Sequence, residues 1–294
     1  MIDFLVMESY QDAIRGVPWI DNLILFNKDR YKRIADLIRF ARKLNENGYD
    51  MVIDLHAKIR SIIIASQIRS KTIRYKKRAW WKSVLVPLRL LKYSVDDTIV
   101  KNYFKPLHRI GVYFSEEKLH FSFDNSHLDA VKAYENFVVM APGAANATKA
   151  WPQEYFAQLG RMLSVNIVLV GGRDEFDSLE TIRAAIGEKC KNLAGKLSLK
   201  ESGALISKSN YVITNDSGPF HIARGVAKKV FVIFGPTDPG MFEYDSQSIL
   251  LYEKKDCAPC TLHGDKQCPQ SHFSCMKDLR PEKVYAKIKA ELKK

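Results

Sequence analysis

The sequence predicts an α/β fold with mostly parallel sheets, divided into two domains. Short apolar segments of strand type alternate with segments of helical period along the 294 residues, and this alternation is typical of βαβ units. Several strand segments also end in glycine, proline, aspartate or serine, the residues that form tight turns. The pattern weakens around 115–135, so we place the boundary there and predict domains at 1–120 and 121–294.

The first half contains strand and helix signals in alternation. The predicted strands are Asp3–Met7, Leu23–Phe26 and Met51–Asp54. Apolar residues at a helical spacing predict a helix over 31–44, which Asn47-Gly48 ends. A second helix is predicted over 96–105, ended by Pro106.

The second half repeats this order, and each of its four predicted strands ends in turn-forming residues. The strands are Phe137–Met140, Asn166–Val170, Tyr211–Thr214 and Val230–Phe234, and their turns are 142–143, 171–172, 216–218 and 235–237. Helices are predicted from Pro152, from Pro219 and over Lys283–Leu292. Parallel strands share one carboxyl edge, where open sheets bind ligands and helix starts favour anions. We therefore predict a nucleotide or sugar-phosphate cleft at this edge. The alternative is that Asp216 and Ser217 only cap a helix and His221 is a core histidine.

Composition indicates a globular protein with a large excess of positive charge. Hydrophobic residues make up 46% of the chain and the net charge is +13. No acidic residue occurs over 55–95, a stretch that holds eleven lysines and arginines together with Trp80 and Trp81. This mixture of basic and aromatic residues favours binding to an anionic membrane surface or a phosphorylated lipid. Nucleic acid is the competing partner. The remaining alternative is a basic face that contacts only solvent. The candidate contact residues are Lys58, Arg60, Lys76, Lys77 and Arg78.

The N-terminus has no basic and then apolar leader, and the apolar runs are too short to span a bilayer. We therefore expect a cytoplasmic protein.

Four cysteines lie close together near the C-terminus. Cys257, Cys260, Cys268 and Cys275 follow the spacing C-x2-C-x7-C-x6-C in a polar loop. Four thiolates can hold a tetrahedral zinc or iron, so a structural metal is one hypothesis, and reduced structural thiols are the other. Cys190 stands apart and is expected to be inert.

Taken in order, the motifs of the second half resemble those of a known family. They are Pro142-Gly143-Ala144-Ala145, Lys149-Ala150-Trp151-Pro152, Val170-Gly171-Gly172, Asn192-Leu193-Ala194-Gly195, Asn215-Asp216-Ser217-Gly218-Pro219-Phe220-His221 and Phe234-Gly235-Pro236-Thr237-Asp238-Pro239. This series, with the cysteine-rich tail, resembles glycosyltransferase family 9, the bacterial heptosyltransferases of lipopolysaccharide core assembly. The resemblance is specific from about residue 137 onward and looser over 2–112.

The resemblance implies two Rossmann-like domains that face a cleft, the GT-B type, with an ADP-sugar in the C-terminal domain and the acceptor in the N-terminal one. Lys149 would neutralise the donor phosphates, because the leaving pyrophosphate gains charge as the glycosidic bond breaks. The other implied donor contacts are Gly143, Ala144, Asp216, Ser217, Gly218 and His221. Glu175 would accept ribose hydroxyls, or else it is only a carboxylate in the first turn of a helix. Catalysis would need no metal.

The start of the chain departs from the family pattern. Members begin with a strand and a Gly-Asp loop whose aspartate is the proposed general base, whereas Met1–Val6 resembles the second strand of the family. We therefore expect an incomplete N-terminal domain that lacks one βα unit and the base. Asp54 and His56 lie at a strand end, but nothing in the sequence favours either as a substitute.

These observations lead to one main functional expectation and two alternatives. The main one is an inverting glycosyltransferase that moves a heptose from an ADP-sugar to a phosphorylated glycolipid acceptor of lipopolysaccharide core or lipid A type. It would work in the cytoplasm, peripherally bound at the inner membrane face. The alternatives are a nucleic-acid-binding module with a cysteine-metal knuckle, and a remnant that binds the donor without transferring sugar.

Overall fold

The computed structural model describes residues 1–75, 95–116 and 119–294. These residues fall into two compact units. The first unit contains 1–11, 18–75 and 96–116, and the second contains 12–17, 95 and 119–294. Among the described residues, no helix is long and apolar enough to cross a membrane.

The second unit is built on a six-stranded sheet in which every strand pair is parallel. Its strands are β5 Phe137–Ala141, β6 Asn166–Leu169, β7 Cys190–Asn192, β8 Val212–Asn215, β9 Val230–Phe234 and β10 Ser248–Tyr252. Their order across the sheet is β10-β9-β8-β5-β6-β7. The predicted α/β fold with parallel strands is therefore confirmed.

Both faces of this sheet are covered, which explains why its strands β5 and β9 are continuous apolar runs. All five residues of β5 are buried, and so are all five of β9. Along β5, Val138 and Met140 belong to one apolar cluster, while Phe137, Val139 and Ala141 belong to the cluster on the opposite face. The two clusters hold most of the large buried side chains of the chain.

Helices of this unit alternate with the strands. They are Asn125–Ala130, Gln153–Met162, Phe176–Ile186, Leu199–Lys208, Gly218–Gly225, Ser274–Lys277 and Pro281–Leu292, with short 3-10 turns at Ala147–Lys149, Arg173–Glu175 and Pro239–Met241. Residues 115–135 show little sequence pattern, yet they include the helix Asn125–Ala130, which the Asp124 side chain caps.

The strand order creates a switch point between β5 and β8. From β5 the chain moves to β6 and β7 on one side, and then returns to β8 and β9 on the other. Loops that follow the two strands at such a point diverge and leave a crevice at the carboxyl edge. The turn after β5 and the turn after β8 both carry sequence-predicted site residues.

In its described residues, the first unit contains two separate parallel pairs rather than one larger sheet. The strands β1 Asp3–Met7 and β2 Asn22–Phe26 form one pair, and β3 Met51–Asp54 and β4 Lys71–Arg74 form the other. The hydroxyl of Tyr49, just before β3, donates to Oδ2 of Asp3 at 2.8 Å and ties the starts of β1 and β3 together. The predicted absence of a βα unit stays a prediction.

Two helices of the first unit, Ile34–Asn45 and Ile59–Ser66, pack on a small core. The unit also contains the helix Ile99–Phe104 and 3-10 turns at Glu8–Tyr10 and Lys105–Ile110, whereas the helix Gln11–Ile14 lies in the second unit except for Gln11. The buried cluster consists of Phe26, Leu37, Ala41, Ile64 and Ile68. The prediction that the helix ends at Pro106 is confirmed, because the α-helix Ile99–Phe104 stops just before it. Pro106 is the second residue of the 3-10 turn that follows, where its missing N–H costs nothing.

Candidate functional site

The candidate site lies at the switch point, and its central feature is an ion pair between the two diverging loops. Nζ of Lys149, in the loop after β5, lies 2.6 Å from Oδ2 of Asp216, which directly follows β8. The side chains are only 16% and 7% exposed, so water screens this pair less than a surface pair. Thr237, after β9, donates its hydroxyl to the same carboxylate oxygen at 3.2 Å. Three strand ends therefore meet at Asp216.

A second side chain of β8 fixes the loop that carries Lys149. The amide of Asn215 donates to the carbonyl of Pro142 at 2.6 Å, and its Oδ1 accepts from the backbone N–H of Trp151 at 3.1 Å. Asn215 is fully buried. Pro142 and Trp151 are the two ends of the Lys149 loop, so one amide holds both. Sequence reasoning missed Asn215 as a site residue, and the only signal was a polar residue at the end of an apolar strand.

The helix Gly218–Gly225 begins without a side-chain cap. The hydroxyl of Ser217, at the N-cap position, donates to the carbonyl of Asn215 at 3.3 Å, and no side chain caps the first turn. The interpretation that Ser217 only caps this helix is therefore wrong. A Cβ on Gly218 would meet no protein atom within 4 Å. Open space thus adjoins the backbone N–H of Gly218 at a helix start, an arrangement that favours an anion. The next residue, Pro219, has no N–H, and the N–H of Phe220 donates to the carbonyl of Ser217 at 3.1 Å.

His221 lies one turn into the same helix and is exposed rather than part of the core. Its ring lies 5.1 Å, between centroids, from the rings of both Phe220 and Phe242. Neighbouring protein atoms displace water from one side of the ring, which disfavours the charged form and lowers the pKa of His221. The charge of Asp216 opposes this shift, and the positive charges of Arg224 and Lys149 add to it. Its imidazole is therefore mainly neutral at pH 7, when it can both donate and accept a hydrogen bond.

Glu175 lies between the turns that follow β5 and β6. Its Oε2 accepts from the backbone N–H of Gly172 at 2.7 Å, so it caps the 3-10 turn Arg173–Glu175. A methyl group on Gly143 would overlap its carboxylate, which shows how closely the two turns approach. The capping role is thus observed, and the role toward a ribose stays a prediction. Ala144 is half-buried beside Gly143.

The four clustered cysteines line one cavity of about 110 Å³. Cys257, Cys260, Cys268 and Cys275 share it with His272, whose Nε2 is 3.9 Å from Sγ of Cys257. Burial, with a smaller contribution from the neighbouring thiols, raises the pKa of Cys275 to about 12. In the ranges that the structure describes, no three histidine, cysteine or carboxylate side chains are arranged to hold a metal ion. A metal would therefore require these thiols to move closer together.

The described lysines and arginines of the basic stretch belong to the first unit. Lys58 and Arg60 are exposed at the start of the helix Ile59–Ser66. Lys76, Lys77 and Arg78 lie outside the described residues.

Asp54 has a structural role at the end of β3, where it binds neighbouring residues of the first unit. Its carboxylate accepts from Nε of Arg74 at 2.8 Å and from the backbone N–H of Ala57 at 2.9 Å. Burial raises the pKa of Asp54, but these hydrogen bonds outweigh it and the net pKa is lowered. A carboxylate with a lowered pKa is a poor general base near neutral pH.

Comparisons with known proteins agree with this fold. The model of glycosyltransferase family 9 (heptosyltransferase) matches residues 37–273. Lipooligosaccharide heptosyltransferase 2 of Campylobacter jejuni serotype O:6 is 28% identical over 277 residues, which are 91% of this chain and 82% of that protein.

Two solved structures share the fold. The crystal structure of a family 9 glycosyl transferase from Veillonella parvula has a TM-score of 0.81 at 22% identity, covering 99% of this chain and 88% of that one. The structure of the ADP-heptose lps heptosyltransferase II of E. coli has a TM-score of 0.74 at 17% identity, covering 99% and 89%. These relatives confirm the predicted fold class.

Proposed function

This chain belongs to glycosyltransferase family 9, and on that basis we propose that it transfers a heptose from an ADP-sugar to an acceptor of lipopolysaccharide core type. It is a glycosyltransferase by family. The name of the E. coli relative combines ADP-heptose with lipopolysaccharide, and the Campylobacter relative is by name a lipooligosaccharide heptosyltransferase. The first name supports this donor, and both names support this class of acceptor.

One observation carries the proposal: Lys149 lies at the switch point, beside the uncapped start of the helix Gly218–Gly225. A diphosphate there would receive an ammonium on one side and the positive end of the helix, with the backbone N–H of Gly218, on the other. Both favour the leaving group more as its charge grows, which is how such groups lower a barrier. In this proposal Asp216, which already holds Lys149, keeps the ammonium aimed at the crevice.

The remaining donor contacts follow from their positions around this point. Ser217 and Gly218 would line the diphosphate, and neutral His221 would hydrogen-bond the sugar. Gly143 and Ala144 would let the nucleotide approach the turn after β5, and Glu175 would accept ribose hydroxyls. These groups supply the charge compensation that a metal would otherwise give, so the transfer itself would need none.

For the acceptor we propose the basic stretch, represented among the described residues by Lys58 and Arg60. Exposed cations attract phosphorylated glycolipid and anionic lipid. This would hold the protein peripherally at the inner membrane face. Transfer would invert the anomeric centre, which NMR of the product glycoside would decide.

The decisive experiment compares Lys149→Ala with Lys132→Ala, a control at an exposed lysine of the same unit. Wild-type protein should bind ADP in calorimetry and release ADP from ADP-heptose when a deacylated lipopolysaccharide acceptor is present. Lys149→Ala should bind ADP about tenfold more weakly and turn over about a hundredfold more slowly, as loss of one electrostatic stabiliser implies. Lys132→Ala should match wild type.

Three outcomes would contradict parts of the proposal. Normal turnover of Lys149→Ala would remove this lysine from the mechanism. ADP binding without any transfer would identify a donor-binding remnant. A thermal shift with RNA or DNA, weakened by salt, in place of one with ADP would favour the nucleic-acid module.

We also propose a structural zinc or iron on Cys257, Cys260, Cys268 and Cys275. The support is that all four line one cavity, and the proposal requires them to move closer together. Elemental analysis of protein purified without chelators should find roughly one ion per chain, as expected for a four-thiolate site. Less than a tenth of an ion would contradict it.

A further inference from the structure

We propose that the cysteine-rich loop, residues 255–273, positions Lys149 through Gly264 and through the Thr148–Asp265 contact. This makes Gly264 and Thr148 positioning residues for the donor-phosphate lysine. The inference rests on the proposed function for its meaning, but its structural content can be tested without any nucleotide.

The first contact is steric. Gly264 has a φ of +86° and lies against the stem of Lys149, because a Cβ on Gly264 would be 2.7 Å from Cγ and 2.9 Å from Cδ of that lysine. Real Cβ atoms do not approach that closely, so any larger residue must push aside the lysine stem and also Asn146, whose Cβ would be 2.8 Å away. The loop backbone thus forms one wall of the channel in which the lysine lies.

The second contact fixes the backbone next to the lysine. The hydroxyl of Thr148 donates to the carbonyl of Asp265 at 3.0 Å and accepts from its N–H at 2.7 Å, and the Thr148 N–H also donates to that carbonyl at 3.0 Å. Thr148 is only 4% exposed. Asn146 adds a hydrogen bond to the carbonyl of His263 at 2.7 Å. The turn Ala147–Lys149 is therefore attached to the loop on both sides of Gly264.

The same loop also supports the segment that contacts Asp216, the carboxylate of the ion pair. The backbone N–H groups of Cys260 and Thr261 both donate to the carbonyl of Pro236, at 3.0 and 3.3 Å. The next residue, Thr237, donates to Asp216. One loop thus supports the backbone beside the cation and the backbone beside its carboxylate.

This support matters because a lysine stem is flexible. Its four-carbon chain carries a large rotamer entropy, which must be lost before the ammonium can act on a bound phosphate. A wall and a fixed backbone remove part of that cost in advance, which is preorganisation. If these contacts between the loop and the Lys149 turn are disturbed, we expect the Lys149 ammonium to separate from Asp216 more often.

The test compares Gly264→Ala with Gly48→Ala. Gly48 also has a positive φ, at +66°, but a Cβ there would meet nothing within 4 Å, so this control reproduces the backbone strain alone. Acylation of lysines by a succinimidyl ester, followed by peptide mass spectrometry, measures how often each ammonium is released. Lys149 should react about tenfold faster in Gly264→Ala than in wild type, the factor for roughly 1.4 kcal/mol. In Gly48→Ala it should react at the wild-type rate, and exposed Lys132 serves as the internal standard.

A second pair of variants covers the case in which Gly264→Ala fails to fold. Thr148→Val keeps the side-chain shape without the hydroxyl, and Thr148→Ser keeps the hydroxyl. Thr148→Val should expose Lys149 to acylation and Thr148→Ser should restore most of its protection. An unchanged acylation rate of Lys149 in both Gly264→Ala and Thr148→Val would overturn the proposal.

ADP titration then separates this inference from the proposed function. In the wild-type background Gly264→Ala should weaken ADP binding about tenfold, and in the Lys149→Ala background by less than about twofold, because the lysine through which it acts is gone. Equal losses in both backgrounds would overturn the positioning role. If wild-type protein does not bind ADP but acylation responds as described, the proposed function fails and the positioning role stands.

Discussion

Trp151 and Asn215 are joined by a buried hydrogen bond, 3.1 Å from the backbone N–H of the tryptophan to Oδ1 of the amide. The indole N–H of Trp151 donates in turn to the carbonyl of Leu279 at 2.8 Å. The loop that carries Lys149 therefore ends on a residue fixed both to the central sheet and to the C-terminal part of the chain. The site and the core of the second unit share these bonds, so mutations can affect both.

Replacing Asn215 with Ala should destabilise the second unit. The carbonyl of Pro142 and the N–H of Trp151 would each lose a buried partner, at a cost of about 2–4 kcal/mol together. Thermal unfolding should show a melting temperature lower by roughly 5–15 °C. Exposed Asn166 provides the control, since its change to Ala should cost less than about 0.5 kcal/mol. An unchanged melting temperature for Asn215→Ala would show that the two bonds contribute no net stability.

Replacing Gly218 with Ala should separate binding from folding. The new methyl group would meet no protein atom, and the φ of Gly218 is outside the left-handed region. The melting temperature should therefore stay within about 2 °C of wild type. The methyl group would instead occupy space that we assign to the diphosphate, so ADP affinity should fall about tenfold. Unaltered ADP affinity would place the diphosphate elsewhere.

The Asp54–Arg74 pair should make the stability of the first unit depend on acid pH. The folded pKa of Asp54 is lowered, so its contribution is present above the unfolded value near 3.9 and is lost as pH falls through the folded value. Asp54→Asn should cost about 1–3 kcal/mol at pH 6, because Arg74 loses the partner of a partly buried pair. Urea unfolding at pH 6 and near pH 3 should show that this difference shrinks in acid. Exposed Asp50→Asn is the control, and a difference that grows in acid would contradict the assignment.

Alkylation should divide the five cysteines into two groups. Burial raises the pKa of both Cys190 and Cys275 to about 12, so at pH 8 only about one molecule in ten thousand carries the reactive thiolate at either position. Iodoacetamide should label half-buried Cys257, Cys260 and Cys268 first. Pretreatment with a chelator removes any metal ion that would protect the thiols from alkylation. In urea, where the protein is unfolded, iodoacetamide should label all five cysteines. Equal labelling of Cys275 and Cys268 in the folded protein would contradict the predicted division.

Much of the fold could be predicted because buried parallel strands leave a strong local signal. Val230–Phe234 and Met51–Asp54 are apolar runs bounded by polar residues, and the structure has strands with those same bounds. The strand β10 and the helix Leu199–Lys208 were not predicted. Helix ends were predicted less well, because capping and 3-10 geometry depend on neighbours; the helix predicted from residue 31 begins at Ile34.

The candidate site could be predicted only in part. Lys149 and Asp216 are 67 positions apart in the sequence. The rule that parallel strand ends share an edge predicted Asp216 at the cleft, and the family resemblance added Lys149. The contacts of Asn215 with Pro142 and of Thr148 with Asp265 could not be predicted in this way. They join segments 73 and 117 positions apart through side-chain packing, which leaves no local pattern.

The two strand pairs of the first unit have a practical consequence for handling the protein. Among the described residues, β1 pairs only with β2 and β3 only with β4, while Phe4, Leu5 and Ile53 are exposed on these strands. Unpaired strand edges with apolar side chains are templates for strand addition between molecules. Concentrated solutions should therefore form β-rich aggregates that start in the first unit, and lysine substitutions at Leu5 or Ile53 should delay their onset in light scattering.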